Sequence, residues 1–196
     1  MSVTFYDNTP FEYGYSSKEG ILNDMNPNLK EMIRQSERKI IADIGCGCGR
    51  NLLYSSEFAG RLIGVDISQK SLDFAKKFVQ SDNLELIQGD NLSLPLLSDS
   101  CDLVISDGVI HHTGKTVEAF KECIRILKPK GLLYLSVYKK FRYYPFLYTY
   151  IGFILRMINK NKFGNFRTFL GMGLAEFDTQ QSMHLETHVV VAFQAQ

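Results

Sequence analysis

The segment that most directly indicates chemistry is residues 43–49, which reads DIGCGCG. Its alternating glycines allow the backbone to turn sharply and allow a ligand to approach without obstruction by a Cβ atom. Asp43 precedes the loop, and a carboxylate there disfavours a pyrophosphate and favours a cationic ligand, because unlike charges attract. Arg50 stands where a dinucleotide-binding fingerprint would have glycine, and the Gly-Lys-Ser/Thr of a phosphate-binding P-loop is absent. The residues therefore predict a loop that binds a cation, with a generic glycine turn before a helix as the alternative.

Two further aspartates follow apolar runs of the kind that form buried strands. Asp66 comes near the end of RLIGVDI, where a carboxylate can accept hydrogen bonds from both hydroxyls of a ribose. Asp90 follows LELIQG, where it can accept a hydrogen bond from an adenine amino group. Any one such aspartate more often caps a helix or a turn. Acids at the ends of successive strands together predict a pocket for a positively charged nucleoside.

The elements that must position these acids alternate between strand and helix patterns. Short apolar runs predict strands at 39–45, 61–67, 84–88, 101–106, 132–138 and 189–193. The intervening segments predict helices, and strands alternating with helices of this length imply a parallel sheet with right-handed crossovers. Such a sheet binds ligands at the carboxyl ends of its strands, which is where the acids lie.

Three helix signals make specific predictions. Asn26 followed by Pro27 marks a helix start, and Ser68 marks another, with Leu72, Ala75, Phe78 and Val79 on one apolar face. A third helix is predicted at 116–128, ended by Pro129 and Gly131. Its inward face is predicted to consist of Val117, Phe120, Ile124 and Leu127.

In their order along the chain, these runs resemble the motifs of class I S-adenosylmethionine-dependent methyltransferases, of the type 11/12-like kind. The matching runs are DIGCGCG at 43–49, GVDIS at 64–68, GD at 89–90, CDLVIS with GVIHH at 101–106 and 108–112, and LKPKG at 127–131. The resemblance extends from about residue 40 to residue 138. It implies an α/β fold with a Rossmann-like, doubly wound, mostly parallel sheet. Lys130 departs from the family's usual glycine, away from the cofactor.

The resemblance also implies which residues bind the cofactor, S-adenosyl-L-methionine, and its product S-adenosyl-L-homocysteine. Gly45 and Gly47 would face the methionine part, Asp66 the ribose, and Asp90 with the backbone near Asn91 the adenine. The predicted cofactor-binding set is Asp43, Gly45, Cys46, Gly47, Asp66, Ile67, Gly89, Asp90, Asn91 and Ser106, with Tyr13 from the aromatic stretch before residue 16.

His111 is the candidate catalytic residue, because the His111–His112 pair follows the fourth strand on the side where the methyl group would be presented. A histidine there can accept a proton from the nucleophile, or hold the cofactor carboxylate through a water. It can equally be a loop residue that fills space. No metal site is predicted, because adjacent histidines rarely bind one ion and no third ligand is evident.

A chain of 196 residues predicts one domain. We divide it into an N-terminal helical and aromatic cap (1–38), a cofactor-binding core (39–138), and a lid and C-terminal segment (139–196). The resemblance implies a further helix and an antiparallel strand pair after residue 138, but 169–196 contains one clear strand pattern. The C-terminal end is therefore expected to be short or divergent.

The acceptor molecule stays open among several classes. A net charge of +1 gives no overall attraction to nucleic acid or membrane, although residues 137–175 contain seven basic and no acidic residues. Aromatic residues in that segment favour a small-molecule acceptor. The His-His loop resembles tRNA wobble-uridine methyltransferases, so a tRNA base is an alternative, as are a lipid headgroup and a binding-only protein. No signal-peptide pattern, disulfide spacing or bilayer-length apolar run is seen, which predicts a cytoplasmic protein without a transmembrane segment; the oligomeric state is left open.

Overall fold

The computed structural model describes residues 18–138 and 188–194. The helices are α1 (Lys18–Asp24), α2 (Pro27–Gln35), α3 (Arg50–Ser55), α4 (Gln69–Phe78) and α5 (Thr116–Ile126), with a 3-10 helix at Ile110–Thr113. The strands are β1 (Ile40–Ile44), β2 (Arg61–Asp66), β3 (Leu84–Gln88), β4 (Cys101–Asp107), β5 (Leu127–Tyr138) and β6 (His188–Gln194). The predicted aromatic contact Tyr13 lies outside the described residues, as do residues 139–187 and 195–196 of the predicted lid and C-terminal segment.

The strands form one sheet in the order β3-β2-β1-β4-β5-β6. Parallel pairing joins β1 to β2, β1 to β4, β2 to β3, and β4 to β5. The predicted α/β class with a Rossmann-like, mostly parallel sheet is confirmed. The strand order reverses between β1 and β4, so the crevice beyond their carboxyl ends is the topological switch point at which sheets of this kind bind ligands.

The sheet is covered on both faces, as the near-continuous apolar runs of its central strands require. On one face, Ile41 and Leu103 pack with Ile33 of α2 and Leu52 of α3. On the other face, Val104 packs in a cluster with small residues of α5. Each fully buried aliphatic side chain of this kind contributes about 1.5–3 kcal/mol. The two clusters hold the central strands rigidly, and with them the loops at their carboxyl ends.

The predicted helix starts at Asn26 and Ser68 are confirmed by their capping hydrogen bonds. Oδ1 of Asn26 accepts from the backbone N–H of Asn28 at 2.9 Å, and Oγ of Ser68 accepts from the backbone N–H of Ser71 at 3.3 Å. Both bonds satisfy N–H groups that have no partner within the first turn of a helix.

The predicted inward face of α5 is wrong at Val117 and Ile124, whereas Leu127 is buried and Phe120 packs against the core as predicted. Val117 and Ile124 are 62% and 40% exposed, and the residues buried against the sheet are instead Ala119, Cys123 and Ile126. Phe120 is partly buried beside this cluster. Ala119 and Cys123 are small and fully buried, whereas the larger Val117 and Ile124 lie on the outer side of the helix. The helix also ends at Ile126, before the predicted Lys128, and Leu127 belongs to β5.

The turn before the fifth strand is a bulge at the start of β5. Leu127 pairs with Cys101, and the next pair of the ladder is Leu103 with Leu132, so the residues between bulge outward. Nζ of Lys128 donates to Oδ2 of Asp102 at 2.9 Å and fastens the bulge to β4. Lys130, at its exposed tip, has a φ of 65°, the left-handed region that favours glycine.

The chain divides into two compact units, residues 1–137 with 189–196, and residues 138–188. The first unit contains the predicted cofactor-binding core and the candidate site. None of the helices within 18–138 is both long enough and apolar enough to cross a lipid bilayer.

Candidate functional site

The glycine loop turns immediately after β1 and is fastened to β2. The carbonyl oxygen of Val65 accepts hydrogen bonds from the backbone N–H groups of Gly45 (2.7 Å) and Cys46 (3.0 Å). The φ angles of Gly45 and Gly47 are 75° and 51°. A Cβ atom on Gly45 would lie 2.3 Å from Cγ1 of Val109, which leaves no room for a side chain there. The loop therefore requires glycine both for its backbone conformation and for close packing against the loop that follows β4.

Asp66, at the end of β2, connects three parts of the rim. Its Oδ2 accepts from the backbone N–H of Gly47 at 2.8 Å, and its Oδ1 accepts from the backbone N–H of Ser68 at 2.9 Å. Its backbone oxygen accepts from the N–H of Gly89 at 2.9 Å. Each carboxylate oxygen can accept more than one hydrogen bond, so Asp66 can hold the glycine loop and still accept from ligand hydroxyls.

Asp43 is the most unusual ionisable group of the site. It is 1% exposed, and its Oδ2 accepts no hydrogen bond from the described residues. Burial raises the pKa of its carboxyl and the nearby Asp107 raises it too, whereas the Arg50 cation and a hydrogen bond from Asn51 lower it; the net pKa is about 7. A buried carboxylate with an unpaired oxygen is costly by itself and is relieved by a cation bound against it.

The site also contains an ion pair that the sequence motifs did not predict. Nη2 of Arg50, the first residue of α3, contacts Oδ2 of Asp107 at the end of β4 at 2.5 Å. The two side chains are 23% and 11% exposed. Burial raises the pKa of the nearby Tyr134 hydroxyl; Asp107 raises it further and Arg50 lowers it. Arg50 and Asp107 lie 57 positions apart in the chain, and only the strand order brings them together.

The third predicted subsite lies after β3. Gly89 packs so closely on Pro95 that a Cβ atom there would lie 2.7 Å from the proline Cδ. Asp90 is exposed, and its Oδ1 accepts from the backbone N–H of Leu92 at 2.9 Å. Asn91 follows at the rim and is half-buried, like Ile67 on the neighbouring β2 loop. The carboxyl ends of β1, β2 and β3 thus bring Asp43, Asp66 and Asp90 to one edge of the sheet.

Besides Asp43, two further predicted cofactor residues have buried side chains. Cys46 is 4% exposed, and Ser106, in β4, is fully buried. Burial raises the pKa of the Cys46 thiol well above its usual range, with Asp43 and Asp66 acting in the same direction. The thiol is therefore neutral, and its Sγ lies 3.8 Å from the carbonyl oxygen of Gly47 inside the loop.

The candidate catalytic residue lies on the 3-10 helix after β4. His111 and His112 are half-buried, and their rings are 4.0 Å apart between centroids at 46°. They lie beyond the same edge of the sheet as the acids. Among the described residues, no three His, Cys, Asp or Glu side chains converge on a point that could hold a metal ion.

The residues present fit S-adenosylmethionine better than an anionic nucleotide. Asp43 offers an unpaired carboxylate oxygen beside the glycine loop, and Asp66 offers acceptors next to the loop backbone. The sulfonium and α-ammonium of the cofactor are cationic, and its ribose hydroxyls are donors. A pyrophosphate at the same place would face these carboxylates and be repelled.

Comparison with known proteins agrees with this geometry. Residues 42–135 match the family model described as "Methyltransferase domain". Bovine (Bos taurus) "Probable tRNA methyltransferase 9B" is 33% identical over 132 residues, which are 63% of this chain and 28% of that protein. Mouse (Mus musculus) "tRNA (carboxymethyluridine(34)-5-O)-methyltransferase ALKBH8" is 35% identical over 109 residues, 54% of this chain and 16% of that protein. The chain therefore spans less than a third of the length of these two relatives.

Solved structures share the same architecture. The crystal structure of an S-adenosylmethionine-dependent methyltransferase from Mesorhizobium loti aligns with a TM-score of 0.53 at 26% identity, covering 63% of this chain and 55% of that one.

Proposed function

Residues 42–135 of this chain belong to the class I S-adenosylmethionine-dependent methyltransferases, and on that basis we propose that the protein binds this cofactor at the rim of β1, β2 and β3 and methylates an acceptor. The observation that carries the proposal is the buried carboxylate of Asp43, whose Oδ2 has no partner among the described residues. A cationic ligand at the glycine loop would supply a second countercharge to this carboxylate, in addition to the Arg50 cation.

S-adenosylmethionine supplies a methyl group that is activated on a sulfonium. The protein therefore has to align the acceptor with this methyl group, exclude water and remove at most one proton from the acceptor. The backbone of the glycine loop would hold the methionine part, and Asp43 would pair with its ammonium. Asp66 would accept hydrogen bonds from the ribose hydroxyls, and Asp90 with the backbone at Asn91 would hold the adenine. These roles of the predicted residues are part of the proposal.

His111 is proposed to act on the acceptor. His111 lies on the 3-10 helix that follows β4. Val109, the residue before this helix, packs against Gly45 of the glycine loop. A half-buried imidazole there is placed to accept a proton from the attacking group. His111→Ala should lower kcat with little change in the affinity for the cofactor, whereas an equal loss of both would assign His111 to cofactor positioning.

For the acceptor, we propose a base in tRNA. Both relatives above are named as tRNA methyltransferases, and the His-His loop resembles wobble-uridine enzymes. A small molecule is the second candidate, supported by the near-neutral net charge of the chain and by the aromatic residues after position 140. The names of the two relatives give no support for a small-molecule acceptor. The cytoplasmic compartment stays a prediction.

The cofactor proposal is tested by calorimetric titration with S-adenosylmethionine and S-adenosylhomocysteine. Micromolar binding of both is expected, and a chain that binds neither is a methyltransferase-like scaffold that has lost its site. The acceptor is tested by incubating the protein with methyl-tritiated cofactor and bulk tRNA, with Asp66→Ala as the inactive control. Label in acid-precipitable RNA supports the tRNA acceptor; label only in a low-molecular-weight extract, added in parallel, supports the second candidate.

A further inference from the structure

A Glu–Arg pair on α5 holds the segment between β3 and β4 by its backbone. Nη1 and Nη2 of Arg125 donate to the carbonyl oxygens of Leu96 (2.9 Å) and Leu94 (3.1 Å). Oε2 of Glu122 accepts from the backbone N–H of Leu94 at 2.8 Å. Nη1 of Arg125 also contacts Oγ of Ser98 at 3.3 Å. Both main-chain groups of Leu94 are thus bound by this one pair.

The two side chains are also tied to each other. Nε and Nη2 of Arg125 donate to Oε1 and Oε2 of Glu122, both at 2.8 Å. The contact with Arg125 lowers the pKa of Glu122 below its usual range. A planar guanidinium holds its N–H donors in a fixed fork, so one Arg can bind a carboxylate and carbonyl groups at the same time. A lysine ammonium is a compact charge without this fixed arrangement of donors.

The held segment leads directly to the predicted adenine subsite. Pro95 packs closely on Gly89, because a Cβ atom on Gly89 would lie 2.7 Å from Cδ of Pro95. Leu94 is 5% exposed, so its position is defined by the core as well as by the pair. Asp90 bonds back to this segment, because its carbonyl oxygen accepts from the N–H of Ser93 at 3.0 Å. The contacts run without a gap from α5 to Asp90.

A second Glu–Arg pair in the same chain provides a comparison, because none of its described side-chain hydrogen bonds goes to loop backbone. Glu31 and Arg34, on α2, have the same spacing and are 3.4 Å apart, with side chains more than half exposed. No described hydrogen bond of Arg34 reaches a loop of the rim. Exposed pairs of this kind contribute little to stability. Glu122 and Arg125 are 20% and 34% exposed, and their hydrogen bonds go to loop backbone.

We propose that Glu122 and Arg125 are positioning residues that set the loop at residues 89–96 so that Asp90 and the adjacent backbone recognise adenine. This inference rests on the proposed function. The pair does not touch the cofactor and acts through Leu94, Pro95 and Gly89. Its consequence is selectivity: the site distinguishes the exocyclic amino group of adenine, a donor, from the carbonyl of hypoxanthine, an acceptor, which a carboxylate at Asp90 repels.

The test compares binding of S-adenosylhomocysteine with that of S-inosylhomocysteine, its hypoxanthine counterpart, by calorimetry. The variant Arg125→Gln is expected to lose about tenfold in affinity for the adenine compound and less than about threefold for the hypoxanthine compound. The matched control Arg34→Gln is expected to keep the affinities and their ratio as in the wild type. Hydrogen exchange should show faster exchange at the amides of Leu92 and Leu94 in the Arg125 variant alone.

If Arg125→Gln does not fold, Arg125→Lys carries the same test, because it keeps the charge beside Glu122 but loses the fork. An affinity ratio equal to that of the wild type, with or without a lower Tm, would overturn the proposal by showing that the pair is only structural. Failure of the wild type to bind S-adenosylhomocysteine would defeat the proposed function as well. Retained wild-type binding with an unchanged ratio defeats this inference alone.

Discussion

The backbone N–H of Gly47 donates to Oδ2 of Asp66 across 2.8 Å, so the acid predicted to bind ribose also holds the glycine loop in place. The same carboxylate receives the N–H of Ser68 on its other oxygen. One side chain therefore connects the loop after β1 to the start of α4. Ligand affinity and loop order are consequently expected to change together when Asp66 is altered.

Asp66→Ala should weaken binding of S-adenosylhomocysteine by about 100-fold or more and should lower the free energy of unfolding by about 1–3 kcal/mol. The reason is that the proposed ribose acceptors are lost, while the N–H groups of Gly47 and Ser68 lose the carboxylate that accepts from them. Calorimetry and urea unfolding measure the two effects. The exposed Asp90, which accepts one backbone N–H, provides the control: Asp90→Ala should reduce affinity with a smaller change in stability. Equal affinity in Asp66→Ala and the wild type would remove the ribose role.

The contribution of Asp43 to the stability of the ligand-free protein should fall as pH rises from 4 to 7. Its pKa rises from an ordinary value of 3.8 to about 7 on folding. The folded state therefore binds more protons in this window, and the contribution is fully present below pH 3.8 and lost as pH passes 7. The size is on the order of 4 kcal/mol at most. Urea unfolding at pH 5 and pH 8 should show a larger loss in the wild type than in Asp43→Asn, and parallel curves would contradict the assignment.

Replacement of Arg50 should change the pH at which the contribution of Asp43 to stability is lost. The guanidinium lowers the pKa of Asp43, so Arg50→Gln should shift the midpoint of the stability loss to higher pH. If Asp43 pairs with the ammonium of S-adenosylhomocysteine as proposed, the affinity for this compound should rise with pH through the same shifted midpoint. Arg50→Lys keeps the positive charge and serves as the control, with a midpoint closer to that of the wild type. Identical midpoints in all three proteins would show that Arg50 does not act on Asp43.

Gly45→Ala should destabilise the protein by about 3 kcal/mol, with contributions from the left-handed backbone and from overpacking. The new Cβ atom would meet Cγ1 and Cγ2 of Val109 at 2.3 and 2.8 Å. Adding Val109→Ala removes both contacts, so the double variant should be more stable than the sum of the single effects predicts. Thermal unfolding of the four proteins of this cycle measures the coupling. Additive effects would show that Val109 moves aside without cost.

Lys130→Gly should stabilise the protein by about 1 kcal/mol, because glycine adopts a φ of 65° without the steric cost of a Cβ atom. The residue is exposed at the tip of the bulge, so cofactor affinity should not change. Lys121→Gly, also exposed but inside α5, is the matched control and should destabilise by about 1 kcal/mol. A loss of stability in Lys130→Gly would indicate that the lysine side chain makes a stabilising contact.

The sheet and its acids could be predicted from the sequence because they depend on local patterns. The runs before Asp43, Asp66 and Asp90 are apolar and short, and an alternation of strands and helices leaves a parallel sheet as the simple solution. The carboxyl ends of parallel strands then meet at one edge. This argument needs no knowledge of side-chain packing, which is why it succeeded at these positions.

The features that were missed depend on tertiary contacts. On α5, hydrophobic periodicity favoured Val117 and Ile124, but the sheet accepts Ala119 and Cys123 because the helix lies close to it. The Arg50–Asp107 ion pair joins residues that are distant in the sequence, and the packing of Val109 over Gly45 joins two loops. The signal that could have found the ion pair is the position of Asp107, an acid at the end of the strand that borders β1 at the switch point.

All four cysteines, Cys46, Cys48, Cys101 and Cys123, are buried in the native state. Burial raises the pKa of the Cys123 thiol to about 12, so that thiol reacts only where the structure opens. Pulse labelling with an alkylating reagent, read out by mass spectrometry, would therefore record opening separately in the glycine loop, in β4 and in α5. The wild-type protein thus carries its own reporters of which part of the domain opens first, and no engineered label is needed to follow that order with and without cofactor.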